Sequence, residues 1–128
     1  MLDNADLGKL IVRLTLGGLM LFHGIAKLFG GIGGIEGMLA SYGIPGIFGY
    51  GVFIGELVAP IMVILGYYTR IGALLIVFNM LVAIALAHGG ELMALGRSGG
   101  WALELQGFFL FIALALVFLG PGRYKLKN

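Results

Sequence analysis

Long runs of apolar residues dominate the chain, and short polar or glycine-rich segments separate them. The four runs cover residues 7–28, 50–67, 71–87 and 101–119. Each is close to the roughly 20 residues that an α-helix needs to cross a bilayer. The first run is too long for the apolar part of a cleaved signal peptide, so we expect it to remain as a helix. The pattern predicts an all-α integral membrane four-helix bundle in which residues 1–128 form a single domain.

The segments between the runs carry helix start and stop signals. Gly66 is predicted to end the second helix, Thr69 to cap the third, and Gly120-Pro121-Gly122 to end the fourth. In the longer segment 30–49, the apolar residues near Met38 favour a short helix in the membrane interface, with a plain glycine-rich loop as the alternative.

Composition supports the membrane assignment. Charged residues make up 11% of the chain and hydrophobic residues 60%, whereas soluble domains have about 25% and about 45 to 50%. The chain has no cysteine, which excludes disulfides, thiolate metal sites and iron–sulfur clusters. The net charge of +2 does not indicate a nucleic-acid partner, because the basic residues form no patch.

Basic residues are distributed unequally between the two predicted membrane faces. One face holds Lys27 and Arg97. The other, which carries both termini, holds Lys9, Arg13, Arg70, Arg123, Lys125 and Lys127. Because positive residues collect on the cytoplasmic side, both termini are predicted to be cytoplasmic. Arg13 lies only six residues into the first run, so its side chain is expected to snorkel towards the cytoplasmic headgroups.

Ionisable residues inside predicted spans are costly, and they therefore mark candidate functional positions. His23 and Lys27 are four residues apart and share one face of the first helix. The other ionisable residues of this kind come from the remaining three helices. All are predicted to lie at a similar depth in the outer half of the membrane, where together with His23 and Lys27 they form a polar layer. They are Glu56, His88, Glu91 and Glu104.

Charge counting indicates that this polar layer handles protons. Lys27 contributes one positive charge, while Glu56 and Glu104 contribute two negative charges when ionised. The net charge of these three side chains is then −1, and binding of one proton neutralises it. Pro60 has no N–H and cannot bond the carbonyl of Glu56, which leaves a free acceptor beside the carboxyl group. The alternative is purely structural, with a Lys27 to carboxylate pair that only fixes helix packing.

Other polar groups carry weaker signals. Asn79 lies midway through the third run, where it can form an interhelical hydrogen bond or contact a ligand. A haem held by His23 and His88 is not expected, because His88 precedes Gly89-Gly90, where the helix is predicted to end. No metal site is predicted, since no pair of histidines has a metal-binding spacing. Gly51, Gly55 and Ala59 form a small-residue face that suits close helix packing or self-association.

Short motifs occur in a fixed order along the chain. They are Arg13, His23-Gly24, Lys27-Leu28, Gly43-Ile44-Pro45, Glu56, Gly66, Thr69-Arg70, Glu104 and Gly120-Pro121-Gly122-Arg123. In this order the chain resembles the DoxX family over nearly its whole length. The resemblance implies a small multi-pass protein of the bacterial inner membrane, related to the small subunit of a thiosulfate:quinone oxidoreductase. It also implies links to redox and oxidative-stress systems.

The leading hypothesis is a quinone-linked redox subunit with an outward-facing polar pocket. Glu56 or Glu104 would be the catalytic proton donor, while His23, Lys27 and Asn79 would bind the substrate. A flavin, a haem or a redox partner subunit would have to supply the electrons, and quinone is the candidate cofactor. The alternatives are a non-catalytic assembly or stress-response subunit, and a small transporter.

Overall fold

The computed structural model describes residues 4–31, 33–87 and 104–127. Within these ranges all regular secondary structure is helical, and the only β-type contact is an isolated bridge between Tyr67 and Lys127. The α-helices are α1 Ala5–Gly30, α2 Gly33–Ser41, α3 Ala59–Leu65, α4 Thr69–Ala87 and α5 Glu104–Leu119. A 3₁₀ segment, Gly46–Gly51, and a π-helical segment, Ile54–Val58, precede α3.

The apolar runs correspond to helices, so the prediction of an all-helical protein is confirmed. The helix α1 and the continuous helical stretch Gly46–Leu65 are long and apolar enough to cross a membrane. Shorter apolar helices cover Thr69–Ala85 and Leu105–Leu119. The short helix predicted after the first run is α2, and the second run begins four residues earlier than predicted, at Gly46.

Aliphatic side chains, methionines and Phe109 fill the interior, while most of the phenylalanine side chains lie on the outside. The buried core is formed by Leu16, Met20, Ala59, Val63, Ala73, Ile76, Val77, Met80, Phe109, Ala113 and Leu116. Phenylalanine side chains such as Phe22, which is 72% exposed, project outward from α1, α4 and α5. A large exposed apolar surface of this kind marks contact with a membrane or a partner.

The helical stretch Gly46–Leu65, called the second span below, changes its helical geometry along its length. In the π-helical segment, the N–H of Ala59 donates to the carbonyl of Ile54, five residues earlier. Pro60 follows directly and cannot donate a backbone hydrogen bond of its own. The result is a π-bulge, a single widened turn that contains one extra residue, and such bulges are frequent at functional sites. Glu56 is the middle residue of this bulge.

The turn after α3 matches the prediction at Gly66 but not at Thr69. Gly66 has a left-handed φ of 71°, and the N–H of Tyr67 donates to the carbonyl of Met62, which forms a Schellman motif. Thr69 does not cap α4: it is the first residue of the helix, and among the described residues its hydroxyl has no hydrogen-bond partner. The prediction of a Thr69 cap was wrong.

Arg13 does not snorkel to the membrane surface. Its side chain is 1% exposed, and the guanidinium donates to four carbonyl groups. The acceptors are Val63 and Ile64 at the end of α3, and Pro121 and Tyr124 in the segment after α5. The sequence-based prediction was wrong because these acceptors are supplied by distant parts of the chain, which gives the charge a buried alternative to water.

The N-terminus, the α3–α4 turn and the C-terminal segment meet at one end of the bundle. Asp6 accepts a hydrogen bond from the backbone N–H of Arg123, and the N–H of Leu126 donates to the carbonyl of Gly66. The basic residues predicted to share a membrane face therefore lie around one end of the fold.

Candidate polar cavity beside Glu56

A cavity of about 530 Å³ opens at the other end of the bundle, between α1, α2, the second span, α4 and α5. Most of its lining is apolar and includes Met20, Leu39, Phe78 and Phe109. Polar side chains form a small group on its wall. They are His23, Lys27, Glu56, Asn79 and Gln106. An apolar cavity with a few convergent polar groups is the usual form of a small-molecule site.

Glu56 is the centre of the polar group. Its side chain is only 2% exposed, and each carboxylate oxygen has a partner on a different helix. Lys27 Nζ from α1 lies 2.5 Å from Oε1, and Asn79 Nδ2 from α4 donates to Oε2 at 3.0 Å. The buried carboxylate is therefore compensated by one positive charge and one amide donor, as a buried charge requires.

Two glycines allow the helices to come close enough for these contacts. A Cβ atom at Gly24 would lie 2.0 Å from the backbone oxygen of Glu56. A Cβ atom at Gly55 would lie 2.4 Å from Cβ of Asn79. The backbone carbonyl of Glu56 therefore faces the backbone of α1. Because both glycines lack a side chain, α1 and α4 can pack against the π-bulge.

Comparison with protein families identifies the chain. The model of the DoxX family matches residues 8–89, which is more than half of the sequence. The chain belongs to the DoxX family. Comparison with curated proteins and with solved structures gives no significant match. DoxX proteins are membrane proteins, so the exposed apolar side chains of this chain face a lipid environment. The matched residues include the four polar side chains His23, Lys27, Glu56 and Asn79.

In this DoxX chain, Lys27 connects the buried carboxylate with the cavity. Its side chain is 35% exposed, and its ammonium group reaches Glu56 while the side chain lines the cavity. His23 lies one helical turn earlier on the same face. Its imidazole packs edge-on against Phe109 of α5, with 5.5 Å between ring centroids. An ammonium group and an imidazole ring therefore border the same apolar space.

The structure brings together four of the five predicted site residues of this DoxX chain. His23, Lys27, Glu56 and Asn79 line one cavity. Glu104 is the first residue of α5, but its side chain is not among the described parts of the structure. His88 and Glu91 lie outside the described residues altogether. Within the described residues, no group of three His, Asp or Glu side chains is placed to hold a metal ion.

Sequence reasoning missed some contributors to the site. Gln106 lines the cavity from the first turn of α5, and its signal was an amide within an otherwise apolar helix. Gly24 and Gly55 can be recognised in the sequence as small residues. A glycine in a helix indicates only that another segment is able to pack close to it. The group that approaches each of them depends on the tertiary packing.

Proposed function

We propose that this DoxX chain crosses the bacterial inner membrane four times and is the quinone-interacting subunit of a redox system. The observation that carries the proposal is the ion pair between buried Glu56 and partly exposed Lys27 on the wall of a mostly apolar cavity. The pair places an exchangeable proton next to a space that suits an apolar ring. The polar cavity would face outward, away from the cytoplasm.

Helix length and surface composition support four crossings. At 1.5 Å per residue, the 19 residues of α4 span about 28 Å, close to the roughly 30 Å of a hydrocarbon core. Leu74 on α4 and Phe118 on α5 project outward, as apolar side chains do on a lipid-facing surface. The two helices would thus cross beside α1 and the stretch Gly46–Leu65.

The distribution of basic residues gives the first prediction. Reporter fusions at Asn128 should read as cytoplasmic, because Arg70, Arg123, Lys125 and the N-terminal Lys9 lie at one end of the bundle. A phosphatase that requires export and a fluorescent protein that requires the cytoplasm would provide opposite signals. A periplasmic signal at Asn128 would contradict both the orientation and the outward-facing cavity.

The cavity suits a quinone headgroup in size and lining. Small-molecule pockets usually occupy about 300 to 1,000 Å³, and this cavity of about 530 Å³ lies within that range. Its walls offer Phe78, Phe109 and Met20 to a flat ring, while Lys27 and His23 lie where a carbonyl oxygen can accept a hydrogen bond. A bound quinone supplies a two-electron, two-proton redox couple, with the electrons delivered by a partner subunit.

The residues of this chain would hold and move the protons. Lys27 donates from Nζ to Glu56 Oε1, so the pair shares one exchangeable proton that can pass to a ligand on the cavity side. The pair then regains a proton from water through the exposed part of the Lys27 side chain. Asn79 fixes the orientation of the carboxylate through Oε2 but carries no exchangeable charge. Burial of Glu56 keeps water from competing for this hydrogen-bonded contact.

Substitution of Glu56 tests the proposal. Glu56→Gln should abolish rescue of an oxidative-stress phenotype in a deletion strain and leave the protein folded, because glutamine keeps the size but cannot release a proton. Glu56→Leu should lower the melting temperature in detergent, because Lys27 would remain unpaired at a mostly apolar wall. Glu36→Gln provides a matched control, since Glu36 lies on α2 and does not line the cavity.

Quinone content separates the redox reading from a structural one. Solvent extraction of the purified wild-type protein should release quinone, and a short-chain ubiquinone analogue should raise its melting temperature. Full rescue by Glu56→Gln together with no bound quinone would favour an assembly or stress-response subunit, in which the ion pair only joins α1 to the second span.

A further inference from the structure

A second cavity lies at the opposite end of the bundle, next to the start of α4. Its volume is about 470 Å³, and it is bordered by the α3–α4 turn and the segment after α5. Its polar lining residues are Tyr68, Thr69, Arg70 and Lys125, and Ile71 and Leu119 contribute an apolar edge. We call it the α4 cavity. It is separate from the polar cavity beside Glu56 and shares no lining residue with it.

The hydroxyl of Thr69 is the most informative group in the α4 cavity. The residue is 1% exposed, and among the described residues Oγ1 has no hydrogen-bond partner. A buried polar atom without a partner is unfavourable, so such an atom in a native structure calls for an explanation. Because Thr69 lines the cavity, a ligand there can supply the missing hydrogen bond.

Positive charge surrounds the same space. Arg70 and Lys125 line the cavity, and within the described part of the chain neither side chain makes an ion pair or a hydrogen bond. Gly120 allows this arrangement, since a Cβ atom there would lie 2.7 Å from an Arg70 guanidinium nitrogen. The neighbouring acid, Asp6, is already engaged with Arg123.

The start of α4 adds a favourable field for an anion. The first N–H groups of an α-helix have no partner within the helix, and they carry the positive end of the helix dipole. α4 begins at Thr69 and is 19 residues long, so this dipole is fully developed. The competing carbonyl groups at the end of α3 do not face the cavity unpaired, because Arg13 binds those of Val63 and Ile64.

We propose that the α4 cavity binds a phosphate group through Arg70, Lys125 and the hydroxyl of Thr69. A phosphate has several acceptor oxygens, so it can engage both cations and the hydroxyl at once. Ile71 and Leu119, which are 54% and 45% exposed, extend the cavity edge into the apolar surface. This edge suits the acyl region of a phospholipid, although free phosphate would satisfy the same polar groups.

The test uses the full chain in dodecyl maltoside, whose headgroup contains no phosphate. Phosphatidylglycerol, inorganic phosphate and the phosphate-free lipid digalactosyldiacylglycerol are the three probes. Native mass spectrometry should detect bound phosphatidylglycerol but not the galactolipid. Competition by inorganic phosphate identifies free phosphate as a ligand as well, whereas binding without competition identifies the lipid headgroup as the source. Equal binding of the two lipids would overturn the proposal. The absence of binding by either lipid and by inorganic phosphate would overturn it as well.

Two charge variants test the assigned residues. Arg70→Gln and Lys125→Gln should each weaken phosphatidylglycerol binding by about tenfold, because each removes charge-assisted hydrogen bonds. Lys9→Gln is the matched control: it removes one positive charge at the same end but does not line the cavity. Binding that falls equally in Lys9→Gln would show attraction to general positive charge and contradict a specific site. Lys125 lies outside every helix, so its variant remains informative if Arg70→Gln misfolds.

Thr69→Val distinguishes a ligand-binding hydroxyl from a structural one. Valine has nearly the same shape, and it removes an unpartnered polar atom. The variant should therefore melt at a higher temperature than the wild type without ligand, and it should bind phosphatidylglycerol more weakly. A lower melting temperature with unchanged binding would assign the hydroxyl a structural role and overturn the proposed site.

Discussion

Replacing Arg13 with methionine should destabilise the protein by about 3 to 5 kcal/mol. Methionine fills much of the same volume, but it donates no hydrogen bond. The carbonyl groups of Val63, Ile64, Pro121 and Tyr124 would all lose a donor. The measurement is thermal or denaturant unfolding in detergent, and the variant should also become more sensitive to proteolysis in the segment after α5.

Arg123→Met is the matched control for this substitution. Arg123 is exposed, and its guanidinium lies 3.9 Å from Asp6, which is a weak surface contact. We therefore expect no measurable change in unfolding. Similar melting temperatures for Arg13→Met and the wild type would show that the buried hydrogen bonds of Arg13 contribute nothing to stability.

Replacing Gly24 with alanine should cost about 3 kcal/mol, the upper part of the usual range for overpacking. The added Cβ would lie 2.0 Å from the carbonyl oxygen and 2.6 Å from the carbonyl carbon of Glu56. These are backbone atoms of the π-bulge, so the contact cannot be relieved by rotating a side chain. α1 must move away, and the movement separates Lys27 from Glu56. We expect lower thermal stability, together with loss of the stabilisation by quinone that is proposed for the wild type.

Gly18→Ala controls for the helix propensity of α1. A Cβ atom at Gly18 meets nothing within 4 Å, and alanine favours a helix over glycine by up to about 1 kcal/mol. The control should thus be neutral or slightly stabilising. If both variants behave alike, the close approach of α1 to the π-bulge has no energetic importance.

The general helical plan could be predicted from the sequence because it depends on local patterns. The apolar runs, the helix end at Gly66 and the short helix after the first run each depend on residues that are close together in the sequence. The π-bulge could not be predicted in the same way. Pro60 signals a missing hydrogen bond, but kinking and insertion of an extra residue are both possible responses. The structure has the insertion, with α1 and α4 packed against it.

The polar site was predictable in part for a similar reason. The spacing of His23 and Lys27 places them on one face, and membrane burial favours pairing Lys27 with an acid such as Glu56. The hydrogen bond from Asn79 could not be derived, because it depends on the rotation of α4 and on the missing side chain at Gly55. The prediction that Arg13 snorkels was wrong for a related reason, because its acceptors lie 50 or more positions away along the chain.

The buried position of Arg13 has a consequence for the order in which the protein is made. Tyr124 is synthesised 111 residues after Arg13, so α1 leaves the ribosome with its guanidinium group before half of its acceptors exist. Until the segment after α5 arrives, water, lipid headgroups or the insertion machinery must accommodate this charge. The end of the bundle around Arg13 would consequently close only after the segment after α5 has been made, and slow synthesis of that segment would prolong a state in which α1 is formed but not yet anchored.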